Sequence, residues 1–90
     1  MVRYHIVVHG RVQGVGFRYY TLQQAKTLGV RGWVKNNLDG TVEIDAQATK
    51  DKMDRFLSAV KKGSPHSRVE HLDVEERKGA KSYKSFQVKY

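Results

Sequence analysis

Apolar residues along this chain recur with a period of two, then of 3.6, then of two again, and this switching restricts the possible folds more than any other feature. In Val2–His9 the apolar positions are 2, 4, 6 and 8, which predicts a strand with one buried face. From Phe17 to Leu28, the residues Phe17, Leu22, Ala25 and Leu28, with Thr21, fall mostly on one side of a helix, and Gly29 supplies its stop. Val30–Asn36 returns to an extended pattern. Asn37-Leu38-Asp39-Gly40 reads as a turn, and Thr41–Gln47 alternates with Val42, Ile44 and Ala46 inward. Met53, Phe56, Leu57 and Val60 then share a helix face, with Thr49 as the expected N-cap, Lys61 and Lys62 in the last turn and Gly63 as the stop. Ser64-Pro65 is loop. Val69–Glu75 reads as a strand with Leu72 and Val74 inward, and Ser85–Tyr90 as a short further strand with Phe86 and Val88 inward.

The order is β-α-β-β-α-β with an extra C-terminal strand. It predicts an α+β chain of the ferredoxin-like class, an antiparallel sheet with both helices on one face. The strand–helix–strand crossover makes the first two strands parallel, with the third between them. Both therefore end at the same edge of the sheet. The loop His9–Gly16 and the strand end Lys35–Asn37 are expected to be neighbours there, where a site can be built.

Ninety residues leave room for one domain, 1–90, and no cysteine is present to staple it. Disulfide frameworks and thiolate zinc sites are excluded. Met1-Val2-Arg3-Tyr4-His5 lacks the apolar run of a secretion signal, and no segment approaches the roughly 20 apolar residues of a membrane span. A soluble, cytoplasmic protein acting as a monomer is expected. The formal charge is +8, unevenly spread: Met1–Leu38 holds Arg3, Arg11, Arg18, Lys26, Arg31 and Lys35 but no acid. Such a field favours an anionic ligand near the first half of the chain. Charge alone does not separate that from a solvated basic surface, which is the default reading, or from nucleic-acid attraction.

The segment His9-Gly10-Arg11-Val12-Gln13-Gly14-Val15-Gly16-Phe17-Arg18 joins the first strand to the first helix. Its glycines let successive N–H groups converge on an anion, and the helix start adds unpaired donors and a positive dipole end. Arg18 sits in the first helical turn, where the dipole disfavours a cation, so its presence needs another reason. A guanidinium offers a planar fork matching two phosphate oxygens. The pattern is not a GxxxxGK[ST] nucleotide loop and has the wrong spacing for a dinucleotide fingerprint. Taken by itself, it reads equally as an anion loop or as an ordinary tight connection.

Gly10-Arg11-Val12-Gln13-Gly14-Val15-Gly16-Phe17-Arg18 also resembles the acylphosphatase signature, Gly-x-Val-Gln-Gly-Val-x-aromatic-Arg. The block Gly32-Trp33-Val34-Lys35-Asn36-Asn37 leading to Asp39-Gly40-Thr41-Val42 resembles that family's second motif. The resemblance covers nearly the whole chain. It implies hydrolysis of acyl phosphates to a carboxylate and inorganic phosphate, with phosphate also an inhibitor. It implies the catalytic pair Arg18 and Asn36, and a phosphate cradle of backbone N–H groups from Gln13, Gly14, Val15, Gly16, Phe17 and Arg18. The chemistry asks for no metal or cofactor, because a carboxylate leaves without strong protonation. Hydrolysis then needs charge stabilisation on the phosphoryl group and a placed water.

Other residues read blandly. His5 and His9 alternate with core positions and face away from them; His66 and His71 lack metal-ligand company. Trp33 packs on the sheet, Arg11 flanks the loop and Asn37 forms the turn. The alternative function is a nucleic-acid-binding module, since RNA-recognition domains share this topology. Those carry an aromatic-rich basic block on the third strand. Here that strand reads Thr41-Val42-Glu43-Ile44-Asp45-Ala46, acidic and without an aromatic.

Overall fold

The computed structural model describes residues 1–90. Its elements are β1 (Val2–Arg11), α1 (Phe17–Leu28), β2 (Arg31–Asn36), β3 (Val42–Ala48), α2 (Lys50–Lys62), β4 (Arg68–Arg77) and β5 (Phe86–Lys89). The five strands form one sheet in the order β4-β1-β3-β2-β5. β1 pairs antiparallel with β3 and β4, and β2 pairs antiparallel with β3. The short β5 adds to β2 in parallel, which makes the sheet mixed.

One row of apolar residues runs across all five strands: Val74, Ile6, Ile44, Val34 and Val88 are successive register partners. Ile6, Ile44 and Val34 are completely buried. The helices reach them with Phe17, Thr21 and Ala25 from α1, and Met53, Phe56 and Val60 from α2. Val74 faces the same side but is 45% exposed, contrary to its expected inward burial. β4 is the edge of the sheet, and the two helices are too few to cover five strands. Thr49 does stand at the N-cap of α2, yet its side chain makes no capping bond.

The opposite face of the sheet is polar and is crossed by residues 78–85, which carry the chain from β4 at one edge to β5 at the other. Arg3 donates from Nε to Gly79 O (3.0 Å), and Gln47 exchanges two bonds with the backbone of Lys81 (2.8 and 3.0 Å). Buried Asp45 receives Arg3 Nη1 at 3.1 Å and the Tyr83 hydroxyl at 2.9 Å. His5 lies on this face too, with Nε2 3.0 Å from Glu43 Oε2. Trp33 packs there between Lys89, 4.5 Å from its ring, and Lys35. These bonds place β5, and therefore the segment Val88–Tyr90, alongside β2 and the start of α1.

Candidate active site

The loop after β1 and the end of β2 meet at one edge of the sheet, as their parallel course requires. Gln13 joins them directly. Its Nε2 donates to Asn37 O at 2.7 Å and to Thr41 O at 2.8 Å, spanning the β2–β3 turn. From the other side, the buried Ser64 hydroxyl donates to Val15 O at 3.3 Å. The loop is thus held to the turns on either side of it. The Gln13 side-chain clamp was not visible in the sequence, where only its backbone N–H had a role.

Gly14 and Gly16 adopt φ of 73° and 75°, the left-handed region. A side chain there costs roughly 1–2 kcal/mol, so glycine is what lets the loop turn its amides outward. Gly16 is also the N-cap residue of α1 and brings no capping side chain. The consequence is a run of open donors longer than the first turn of a helix. The backbone N–H groups from Gln13 to Tyr19 donate to no acceptor within the chain. Helices normally satisfy such donors with Ser, Thr, Asp or Asn. Here the donors stay available to an external anion.

Arg18 stands in the first turn of α1, which contains no acidic residue. It forms no ion pair with any carboxylate. Nη1 donates to Lys89 O at 3.3 Å, and the guanidinium carbon lies 4.8 Å from the Tyr90 ring centroid. These contacts aim the group while leaving most of its fork free. Asn36, the last residue of β2, makes no side-chain hydrogen bond within the chain, and its Oδ1 is buried without a partner. Asn37 is the turn former instead: its N–H bonds Thr41 O (2.9 Å) and its Nδ2 bonds Thr41 Oγ1 (3.0 Å).

Gly14, Gly16, Phe17, Arg18 and Asn36 line one cavity of about 380 Å³, and no acidic side chain shares it. The structure therefore brings the two implied catalytic residues and much of the implied cradle together. Arg11 is exposed and lies outside the cavity. The remaining lining was not anticipated as site: Val12, Tyr19, Leu22, Val88 and Tyr90. Tyr19 and Leu22 sit beside Arg18 on α1 and were legible as neighbours. Val88 and Tyr90 come from the far end of the chain and carried no local signal.

A sequence model of the acylphosphatase family matches residues 4–88. The chain belongs to that family. An acylphosphatase of Bacillus licheniformis is 46% identical over 90 residues, covering all of both chains. The crystal structure of acylphosphatase from Bacillus subtilis has a TM-score of 0.97 and 43% identity, covering 100% of both chains. An acylphosphatase structure from Coxiella burnetii has a TM-score of 0.92 at 33% identity, over 98% of this chain and 92% of that one.

In this member of the acylphosphatase family, the turn behind Asn36 is held by a titratable group. The Thr41 hydroxyl, and then the Thr41 N–H, donate to Asp39 Oδ1 at 2.6 and 3.0 Å. They hold the Asp39 carboxyl below its ordinary value of 3.8. A depressed carboxylate pKa contributes stability above the unfolded value, and that contribution is lost as pH falls through the folded one. The Asp39 side-chain carbonyl, followed by NMR, is expected to titrate with a midpoint below 3.8. Thr41→Val should return the midpoint upward; an unchanged midpoint would remove the hydroxyl as the main cause.

Proposed function

We propose that this acylphosphatase-family hydrolase cleaves the carboxyl–phosphate bond of acyl phosphates at the Gln13–Arg18 loop. The observation that carries the reading is the unbroken run of unpaired N–H groups from Gln13 to Tyr19, beside an Arg18 that no carboxylate neutralises. A phosphoryl group in the loop accepts those N–H bonds, and Arg18 completes the set with charge and fork geometry. Donors fixed before reaction stabilise the charge on the phosphoryl oxygens without reorganising.

Asn36 supplies the second need. Its carboxamide lines the same cavity and carries an acceptor that nothing in the chain uses. The two ends of an amide are nearly alike in shape and exchange by a half-turn, so an acceptor can turn toward a water in the cavity. That water attacks phosphorus, and the bond from phosphorus to the bridging oxygen breaks. The carboxylate departs with the electron pair, while the water's proton passes to a phosphoryl oxygen. No general acid is needed, since a carboxylate is a stable leaving group. Every group invoked comes from one chain, so the active unit we propose is a monomer.

The nucleic-acid alternative is less well supported. An RNA-recognition domain binds on the helix-free face of its sheet. Here that face presents Glu43 and Asp45, is crossed by residues 78–85, and keeps Tyr4 buried on the opposite side.

Inorganic phosphate tests the loop. Added phosphate is expected to shift the amide resonances of Gln13–Arg18 and to inhibit acyl phosphate hydrolysis competitively. Arg11→Ala should retain the effect, because backbone donors dominate. Shifts centred on Lys61 and Lys62, or spread over all basic residues, would mean nonspecific attraction instead.

A further inference from the structure

We infer that the outer wall of this cavity, built from Tyr19, Leu22, Val88 and Tyr90, binds the acyl group and selects apolar, aromatic acyl phosphates. The inference rests on the reading of the loop as the phosphate site. The cavity is two-sided. Gly14, Gly16, Arg18 and Asn36 supply polar lining, the four wall residues supply apolar lining, and Tyr90 meets Arg18 where the two adjoin. At about 380 Å³ the space exceeds what a phosphate fills, and it falls in the range of pockets that hold small organic molecules.

Leu22 and Val88 turn one side to the core and border the cavity with the other, but Tyr19 and Tyr90 are not explained by packing. Tyr19 is 66% exposed and Tyr90 is fully exposed, so neither ring belongs to the core. Tyr90 lies against the Arg18 guanidinium, so the aromatic surface begins where the phosphate-binding fork ends. No carboxylate side chain interrupts the flank, and no polar side chain on it asks for a hydrogen bond from the acyl group beyond the two phenols. A phosphoryl group held in the loop leaves its acyl substituent one surface to lie on. Removing an apolar substituent from water against such a wall favours it by about 10–200-fold over one that cannot reach.

The test compares benzoyl phosphate with acetyl phosphate in the wild type, Tyr19→Phe and Tyr19→Ala. The intrinsic reactivities of the two substrates are the same for every variant, so a change in the ratio of their kcat/KM values reports the wall. Tyr19→Phe is expected to keep the ratio, and Tyr19→Ala to shift it about tenfold toward acetyl phosphate, with the phosphate Ki unmoved. Binding of phenacylphosphonate and acetonylphosphonate, in which a methylene replaces the bridging oxygen, provides a readout without turnover. Tighter binding of the aromatic analogue, lost in Tyr19→Ala, is expected. An unchanged ratio with unchanged analogue preference would overturn the wall while leaving hydrolysis intact. Failure to hydrolyse either substrate, with the analogue preference still dependent on Tyr19, would overturn the hydrolysis and leave the wall.

Discussion

Arg18→Ala is expected to lower kcat/KM for acyl phosphates by about 10³-fold or more while the protein stays folded. A factor of that size corresponds to roughly 4 kcal/mol of transition-state stabilisation. The folded state has far less at stake. Within the chain Arg18 makes one 3.3 Å hydrogen bond to Lys89 O and one contact with the Tyr90 ring, both toward solvent. Such contacts contribute about 0.5–1 kcal/mol each. Against them stands the repulsion of a cation from the positive end of α1, about 0.3–1 kcal/mol in the opposite direction. About 1 kcal/mol is left between them, so the thermal midpoint should fall by only several degrees and the protein should stay folded. Arg18→Lys separates charge from geometry. Lysine restores the charge as a point but not the fork, so it should recover only a small part of the activity and leave the phosphate Ki raised. Near wild-type hydrolysis by Arg18→Lys would refute the role assigned to the guanidinium.

Asn36→Ala is expected to depress kcat by about 100-fold or more with the phosphate Ki almost unchanged. The placed water matters to the transition state, whereas the bound product needs only the loop and Arg18. The competing account makes Asn36 a structural cap of the β2–β3 hairpin, in which case its loss would lower stability and spare turnover. The hydrogen bonds speak against that account. The turn is held by Gln13, Asn37, Asp39 and Thr41, while the Asn36 side chain bonds to none of them. Its side chain has no partner within the fold to lose, so Asn36→Ala should be about as stable as the parent. Asn36→Asp should lose activity too, but with a raised phosphate Ki, because its carboxylate repels the dianion. A folded Asn36→Ala protein with unaltered kcat would end the water-positioning mechanism, whatever Arg18 showed.

The two variants together define what the site trades for its function. An uncapped helix start, a cation at the wrong end of the dipole and an asparagine whose side-chain oxygen has no partner all border one cavity. Each is mildly unfavourable to folding, and each is what an anionic substrate and its attacking water would satisfy. Elsewhere both helices bury one face and α2 ends with Lys61 and Lys62 in its last turn; of the three features, α2 shares only the uncapped start. Such local conflicts gathered around one cavity are expected of a functional site.

What depends on near neighbours along the chain was legible from residue order. Hydrophobic period set the elements and their order, because one side of each had to be buried. Gly14 and Gly16 set the loop, because left-handed backbone excludes most other residues. Arg18 was conspicuous within a single helical turn, and Asn36 through the motif that places it at the end of β2. What depends on residues far apart emerged only in the folded chain. The Gln13 clamp spans 24 and 28 positions, and the bond that ties Arg18 to the last strand spans 71. Val74 carries the same alternation as Ile44, yet one is exposed and the other buried, because strand order puts β4 at the edge and β3 at the centre. The apolar wall of Tyr19, Leu22, Val88 and Tyr90 likewise exists only once residues 78–85 have crossed the open face and laid β5 beside β2. Local patterning states which face of an element is apolar; the sheet order and the length of the helices decide what covers it.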